Sequence, residues 1–223
     1  MSSEDRIVTR LAALHTCAVS DALDRLGLAG CVTGLLPLAT PRKIAGRVRT
    51  VKLVAKTAGP AAAGPPRHLG TAAIEAAEAG EIIVVEQRSG IDAGSWGGIL
   101  SLGAKLRGVV GVIADGPVRD VDEARGLEFP VYGRSATART ARDRIVEAGT
   151  DVPVDIGGVA VSPGDYALAD GSAVVFLAAG DAARVIEAAE AIAGREAAMA
   201  EALRAGRRIT EVMGAAYEHM LKR

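Results

Sequence analysis

Apolar and polar positions along this chain repeat with two periods, and the changes of period mark out its elements. Ile7, Leu11 and Leu14 recur at helical spacing and predict an opening amphipathic helix. Ser20 reads as the N-cap of a second helix beginning at Asp21, a first-turn acid, and Gly27 reads as its stop. The stretch from Gly30 to Pro41 is punctuated by Gly and Pro and reads as a loop. From Ile44 to Ala55 the period falls to two, with Arg47 and Arg49 on one face of a strand and Val48 and Thr50 on the other. Gly59 to Pro66, of Gly, Pro and Ala, is expected to be a mobile loop, followed by Arg67-His68-Leu69-Gly70-Thr71 and a helix through Ile74 to Ala79. Glu81 to Val85 is a buried strand and Glu86 to Asp92 a polar connection.

The stretch from Gly94 to Glu123 organises the rest. Gly97 and Gly98 form a turn into a helix whose Ile99, Leu100, Leu102 and Leu106 are spaced for one apolar stripe. Trp96, just before the turn, reads as a core or subunit-contact anchor. Val109 to Ala114 is an unbroken apolar, β-branched run, the signature of a buried parallel strand. Asp115-Gly116 ends that strand, and Pro117 is suited to the first turn of the next helix, where its missing N–H costs nothing. Arg119 and Asp120 then fall near a helix start, just past the carboxyl end of a strand.

Beyond this stretch, Glu128 to Tyr132 predicts a short strand and Thr137 to Ala148 an exposed segment. Val152 to Val161, Tyr166 to Ala169 and Ala173 to Ala178 are further strand candidates, the first two parted by a Pro163-Gly164-Asp165 turn. So many strands with so few helices between them argue against a purely doubly wound sheet. The C-terminal region is helical: Asp181 caps a helix carrying Val185, Ile186, Ala189 and Ile192, Gly194 weakens or bends it, and Gly206 closes it. A last helix starts near Thr210 and carries Val212, Met213, Ala216 and Met220.

Composition narrows the class. The 223 residues suffice for a substantial core and are expected to form one domain over 1–223. A net charge of -1 offers no basic excess for nucleic acid, and no apolar run approaches the roughly 18 residues of a membrane span. The polar start Met1-Ser2-Ser3-Glu4 is no signal peptide, so a cytoplasmic location is expected. Cys17 and Cys31, the two cysteines, suggest neither a disulfide framework nor a zinc site, and read as small buried apolar groups.

Chemistry concentrates at Arg119 and Asp120. Open α/β sheets place ligands at the carboxyl edge of their strands, and two adjacent helix starts attract an anion through free N–H groups. There Arg119 could grip a carboxylate or a developing enolate in two-point fashion, and Asp120 could hold a divalent cation, which together make a site for a small oxo-acid. The competing reading is a solvated surface pair, worth about 0–1 kcal/mol.

Gly98, twenty intervening residues, Arg119-Asp120, two residues and Glu123 match the signature of the RraA-like proteins, which include the 4-hydroxy-4-methyl-2-oxoglutarate/4-carboxy-4-hydroxy-2-oxoadipate aldolases. The chain resembles that family from Ser20-Asp21-Ala22-Leu23 through Pro37-Leu38, Ile44-Ala45-Gly46 and Gly80 to Val85 to Pro163-Gly164-Asp165. The resemblance implies an α/β fold, a layered α/β/β/α sandwich with C-terminal helices, assembled as a homotrimer or homohexamer with active sites between subunits. It implies Mg²⁺ or Mn²⁺ held by Asp120, largely through water, with a Glu from a neighbouring C-terminal helix, here Glu196 or, second, Glu201. The backbone N–H groups of Ile99 and Leu100 would bind the substrate carboxylate. Arg119 would stabilise a pyruvate enolate, and Glu123 would orient Arg119 or the metal's waters.

The implied activity is retro-aldol cleavage of a 4-hydroxy-2-oxo acid to pyruvate, with oxaloacetate decarboxylation as a side reaction. The chain departs from the aldolases where they carry an Asn and, four residues on, a His, because Arg67 and Thr71 occupy those places. Arg67 and His68 stand as groups for a different carboxylate or acyl tail, or equally as a solvated arginine and a packing histidine. The alternative function is a protein-binding regulator of an RNA-degrading endonuclease. A methyltransferase is disfavoured, since Gly97-Gly98 lacks the G-x-G-x-x-G spacing.

Overall fold

The computed structural model describes residues 3–56 and 68–214. Helices α1 (Ser3–Ala13) and α2 (Thr16–Leu26) open the chain, followed by two short strands, β1 (Cys31–Val32) and β2 (Leu36–Pro37). Then come β3 (Ile44–Ala55), α3 (Thr71–Ala76), β4 (Ile82–Glu86), α4 (Gly98–Leu106), β5 (Gly111–Val118), α5 (Val121–Gly126) and β6 (Val131–Ala136). The remainder is β7 (Ile145–Thr150), the hairpin β8 (Val154–Ile156) and β9 (Val159–Val161), β10 (Tyr166–Ala169), β11 (Val174–Leu177), α6 (Ala182–Arg204) and α7 (Ile209–Val212).

Among the described residues the main sheet runs β1-β11-β10-β3-β4-β5-β6-β2, with β7 also on β3. Strands β3 to β6 are parallel, whereas β10 and β11 pair antiparallel with their neighbours. The long strand β3 belongs to both parts. Its first four residues pair with β10, and its later residues with β4 on one edge and β7 on the other.

Period-two alternation distributes the strand side chains between three cores. Ile83, Val85, Val112 and Ala114 face α3, α4 and α5 through Ile74, Leu100, Ala104 and Ala124. Their neighbours Ile82, Val84 and Ile113 face the other way, onto Ala167, Ala169, Val174 and Phe176 of β10 and β11. The far side of those two strands, Leu168, Val175 and Leu177, packs on Leu11, Val19, Leu23, Val185 and Ile192 of α1, α2 and α6. The result is the expected α/β/β/α layering. Among the described residues no helix is long and apolar enough to cross a membrane.

Several expected boundaries move, each for a physical reason. Helix α2 begins at Thr16 rather than after Ser20, because Asp170 caps it from the β10–β11 turn: the Thr16 amide donates to Oδ2 at 2.9 Å and its hydroxyl to Oδ1 at 2.7 Å. Asp21 therefore lies inside the helix, where burial first and the charge of Asp24 second push its carboxyl up. Strand β5 does not stop at Asp115-Gly116 but runs through Pro117 to Val118. Proline is tolerated there because β4 has ended at Glu86 and the β5–β6 register shifts between Ala114 and Pro117. Pro117 is thus not a helix-opening residue; α5 starts at Val121.

The strand expected over Glu128 to Tyr132 begins only at Val131, and the segment expected to be exposed to Ala148 ends where β7 starts at Ile145. Val152 to Val161 folds back on itself at Gly157 and Gly158, both with positive φ, instead of forming one strand. Helix α6 runs through Gly194 without interruption. In α4 the expected stripe divides: Leu100 is buried, while Ile99 and Leu106 are 79% and 78% exposed. Both cysteines are exposed rather than buried. The Gly59 to Pro66 loop, Arg67, Ala216 and Met220 lie outside the described residues.

Candidate active site

The end of β5 and the start of α4 are fastened together by backbone. The Ser95 amide and hydroxyl both donate to the Pro117 carbonyl, at 2.8 and 2.7 Å, and the Arg119 amide donates to the Trp96 carbonyl at 2.9 Å. Trp96, 2% exposed, anchors this turn in the core and donates from Nε1 to the Ser101 hydroxyl at 3.0 Å. Ser101 in turn donates to the Gly97 carbonyl, through its amide at 3.0 Å and its hydroxyl at 3.1 Å.

Three glycines then leave room for three functional side chains. A Cβ on Gly94 would lie 2.9 Å from Arg119 Cγ, and one on Gly97 would lie 2.8 Å from Asp120 Oδ2. One on Gly98 would lie 1.7 Å from Glu123 Oε2, closer than any side chain allows. The absence of side chains on Gly94, Gly97 and Gly98 is what lets Arg119, Asp120 and Glu123 lie against the opening of α4.

Asp120 sits at the N-cap of α5 with φ 56, a left-handed conformation that aspartate tolerates better than most residues. That conformation turns the carboxylate back toward α4. Its Oδ2 accepts from the Gly98 amide at 3.1 Å and its Oδ1 from Arg119 Nε at 3.1 Å. Arg119 and Asp120 remain 37% and 29% exposed, so the pair lines an accessible surface rather than a sealed core. The next two amides of α4, those of Ile99 and Leu100, have no acceptor among the described residues, as expected for the first turn of a helix. Two free N–H groups, a guanidinium and two carboxylates therefore converge at one strand end.

Such a set can bind a carboxylate at the helix start and stabilise negative charge on a neighbouring oxygen. Each Asp120 oxygen keeps a lone pair beyond its single hydrogen bond, and Glu123 lies beside it. Hard oxygen donors in ones and twos, completed by water and ligand, suit Mg²⁺ or Mn²⁺. Among the described residues no three His, Cys, Asp or Glu side chains form a ready-made metal cage.

The other expected site residues are placed as follows. His68 is exposed, with Nδ1 3.2 Å from the Leu69 carbonyl. It stands two residues before Gly70, where a Cβ would lie 3.1 Å from the Trp96 ring and whose amide donates to Glu147 at 2.7 Å, so its segment borders the site. Glu196 and Glu201 are exposed on α6, in the layer built on α1 and α2, and the single chain does not bring them to Asp120. Sequence reading missed Gly94, Ser95 and Ser101, which fix the turn; the only signal was small and polar residues flanking Trp96 and the Gly-Gly turn.

A family model described as RraA-like, Aldolase/RraA, matches residues 16–176, which contain the whole of this site. The chain belongs to the RraA-like family. A relative in Halalkalibacterium halodurans, described as a candidate 4-hydroxy-4-methyl-2-oxoglutarate aldolase, is 27% identical over 84% of both chains. Protein DlpA of Legionella pneumophila is also 27% identical over 77% of this chain, which spans only 27% of that longer protein. Among solved structures, an uncharacterized protein from Pseudomonas syringae pv. tomato superimposes with a TM-score of 0.82 at 26% identity, covering 94% of this chain and 98% of that one. Streptomyces coelicolor RraAS2, described as an unusual member of the RNase ES inhibitor RraA protein family, shares the fold with a TM-score of 0.77 at 24% identity, covering 88% of this chain and 96% of that one. This RraA-like family thus holds both candidate aldolases and RraA regulators.

Proposed function

We propose that the chain is a lyase that cleaves a 4-hydroxy-2-oxo acid to pyruvate and a carbonyl product, and that it decarboxylates oxaloacetate as a side reaction. The observation that carries this reading is the convergence of the free Ile99 and Leu100 amides with Arg119 and Asp120 over Gly97-Gly98. In the proposed complex the two amides hold the C1 carboxylate of the substrate, with the positive end of α4 behind them. Arg119, oriented by its bond to Asp120, faces the 2-oxo oxygen. As the C4 hydroxyl gives up its proton to water and its oxygen becomes the product carbonyl, the C3–C4 bond breaks, its electron pair passes to the pyruvate fragment as an enolate, and the guanidinium meets the charge as it gathers on the 2-oxo oxygen.

Asp120, with Glu123 beside it, would hold Mg²⁺ or Mn²⁺, whose contribution is Lewis-acid polarisation of the same carbonyl. Glu123 keeps Asp120 and the α4 start in register by filling the space over Gly98. Glu196 of a neighbouring copy stands as a further contributor in a homotrimer or homohexamer. Oxaloacetate loses carbon dioxide to give the same enolate, so the same groups serve both reactions.

The test is pyruvate release from oxaloacetate and from 4-hydroxy-4-methyl-2-oxoglutarate, with Mg²⁺, with Mn²⁺ and with chelator. The expected result is metal-dependent turnover that Asp120→Ala abolishes. No turnover above the metal-only background on either compound would overturn the proposal.

A further inference from the structure

The connection from β4 to α4 is polar along its outer residues, but at its base an amide side chain is buried. Gln87, the first residue past β4, is 3% exposed. Its backbone amide donates to the Asp115 carbonyl at 3.2 Å. Gly116 makes room for it, since a Cβ there would lie 2.8 Å from both Gln87 Cβ and the Gln87 carbonyl oxygen.

The side chain of Gln87 clamps the connection from inside. Nε2 donates to the Ile91 carbonyl at 3.0 Å and to the Ala93 carbonyl at 3.1 Å. Oε1 accepts from the Ser89 hydroxyl at 3.0 Å and from the Ser89 amide at 3.3 Å. The Ser89 hydroxyl oxygen accepts in turn from the Ile91 amide at 3.2 Å. A buried amide with its donors and acceptor all engaged specifies one arrangement of the chain around it, because any other leaves polar groups unpaired.

The clamp ends at the candidate active site. The Ala93 carbonyl shares a rigid peptide plane with the Gly94 amide, which donates to the Arg139 carbonyl at 2.9 Å. That plane is therefore held at both ends, and Gly94 Cα extends from it. A Cβ on Gly94 would lie 2.9, 3.0 and 3.2 Å from Cγ, Cδ and Cβ of Arg119, so the plane sets the wall on which the Arg119 stem rests. The side-chain tie on the same stretch, Asp92 to Arg139 at 3.2 Å, joins two groups more than half exposed and adds little.

We infer that Gln87 is a positioning residue for Arg119, acting through the Ala93–Gly94 peptide. The assignment rests on the lyase reading of the site and adds to it a buried group that works through Arg119 rather than on the substrate. Arg119 meets charge that develops only as the bond breaks. The Ile99 and Leu100 amides, which are anchored separately through Trp96 and Ser101, hold the carboxylate throughout. Loosening the clamp therefore lowers kcat and spares KM.

The test is steady-state decarboxylation of oxaloacetate by the full-length chain in Mg²⁺ buffer, with the metal-only rate subtracted. Gln87→Met keeps the side-chain length and removes both donors. Its kcat should fall about tenfold with KM changed less than about twofold. Ser89→Ala, which takes only the hydroxyl out of the clamp, should lower kcat about threefold. In an Arg119→Met background each should cost less than about twofold more, since changes that act through one residue do not add. A readout independent of turnover is the Nε–H signal of Arg119, a group that donates to Asp120 at 3.1 Å. In the proton–nitrogen correlation spectrum this signal, assigned by its loss in Arg119→Met, should shift or broaden in Gln87→Met.

An equal loss of kcat with and without Arg119 overturns the positioning role and leaves the lyase reading standing. So does a rise in KM that matches the fall in kcat, or a kcat and an Arg119 signal that both stay put. Should circular dichroism show that Gln87→Met does not fold, Ser89→Ala decides by the same criteria. Absence of wild-type turnover overturns the lyase reading, and the Arg119 signal alone then decides whether Gln87 positions that side chain.

Discussion

Strand β5 and the turn that follows it hold the aspartates of two arginine–aspartate pairs, and the pairs differ in almost everything except composition. At Asp115 the carboxylate is 5% exposed, and it accepts from Arg134 Nε at 2.7 Å through Oδ1 and from the Gly157 amide at 2.7 Å through Oδ2. Arg88 adds a third contact at 3.8 Å, and Arg134 also donates to the Thr33 carbonyl at 2.6 Å. Five residues later, Asp120 has one hydrogen bond per oxygen, and the Arg119 side chain is 37% exposed. The first pair is saturated by its own protein and ties the β8–β9 hairpin and the β1–β2 connection to the sheet. The second is left short of partners where glycines clear the space. What separates a structural ion pair from a candidate site is the spare hydrogen-bonding capacity, not the residue types.

That contrast can be broken from either end. Asp115→Ala leaves the Gly157 amide without its acceptor and the partly exposed Arg134 without its partner, and should cost about 1–3 kcal/mol, read from urea unfolding. Arg119→Met should do the reverse, lowering pyruvate release by about a hundredfold, near 3 kcal/mol of transition-state stabilisation. Its unfolding midpoint should move little, since an exposed pair is worth about 0–1 kcal/mol. A large loss of stability in Arg119→Met, with turnover retained, would invert the assignment. Gly98→Ala should also lower turnover, by pushing Glu123 off the α4 start, while far-ultraviolet circular dichroism stays that of the wild type.

The smallest effect concerns a third carboxylate, Asp170. Burial pushes this carboxyl up, but the Thr16 hydroxyl outweighs it together with the amides of Thr16, Ser172 and Ala173, and the net effect holds it below the usual range. A depressed folded value means that its stabilisation is present above the unfolded value, about 3.9, and is lost as pH falls through the folded one. Thermal unfolding of Asp170→Asn should therefore lose part of the decline in stability seen below about pH 4 in the wild type. An acid limb unchanged by the substitution would assign that decline to other groups.

Much of this was legible in the sequence where the determinants are local. The alternation from Ile44 to Ala55 gives β3 to the residue, and Tyr166 to Ala169 gives β10. Gly98, Arg119, Asp120 and Glu123 converge as their spacing and the family resemblance suggested. What failed had a remote cause. The start of α2 is set by Asp170, 154 residues away, so Ser20 was a plausible cap with no helix end to cap. Pro117 stays in a strand because of where β4 stops, which no window around the proline contains. The spacing of Ile99 and Leu106 fits a helix stripe, but α4 is covered on the side of Leu100 and Ala104 alone. Ser95 was invisible because a hydroxyl that fastens a backbone turn leaves no periodic trace.

The double membership of β3 also fixes an order of events during synthesis. Its edge toward β4 can close while the middle of the chain is emerging, because β4 and β5 follow it directly in parallel register. The other edge, at Ile44 to Arg47, waits for Tyr166–Ala169, some hundred and twenty residues later. Until then the nascent chain presents an open strand border of the kind that invites pairing with other chains. The half of the molecule that bears Arg119 and Asp120 can thus take shape early, while protection of the growing chain from aggregation depends on its last strands.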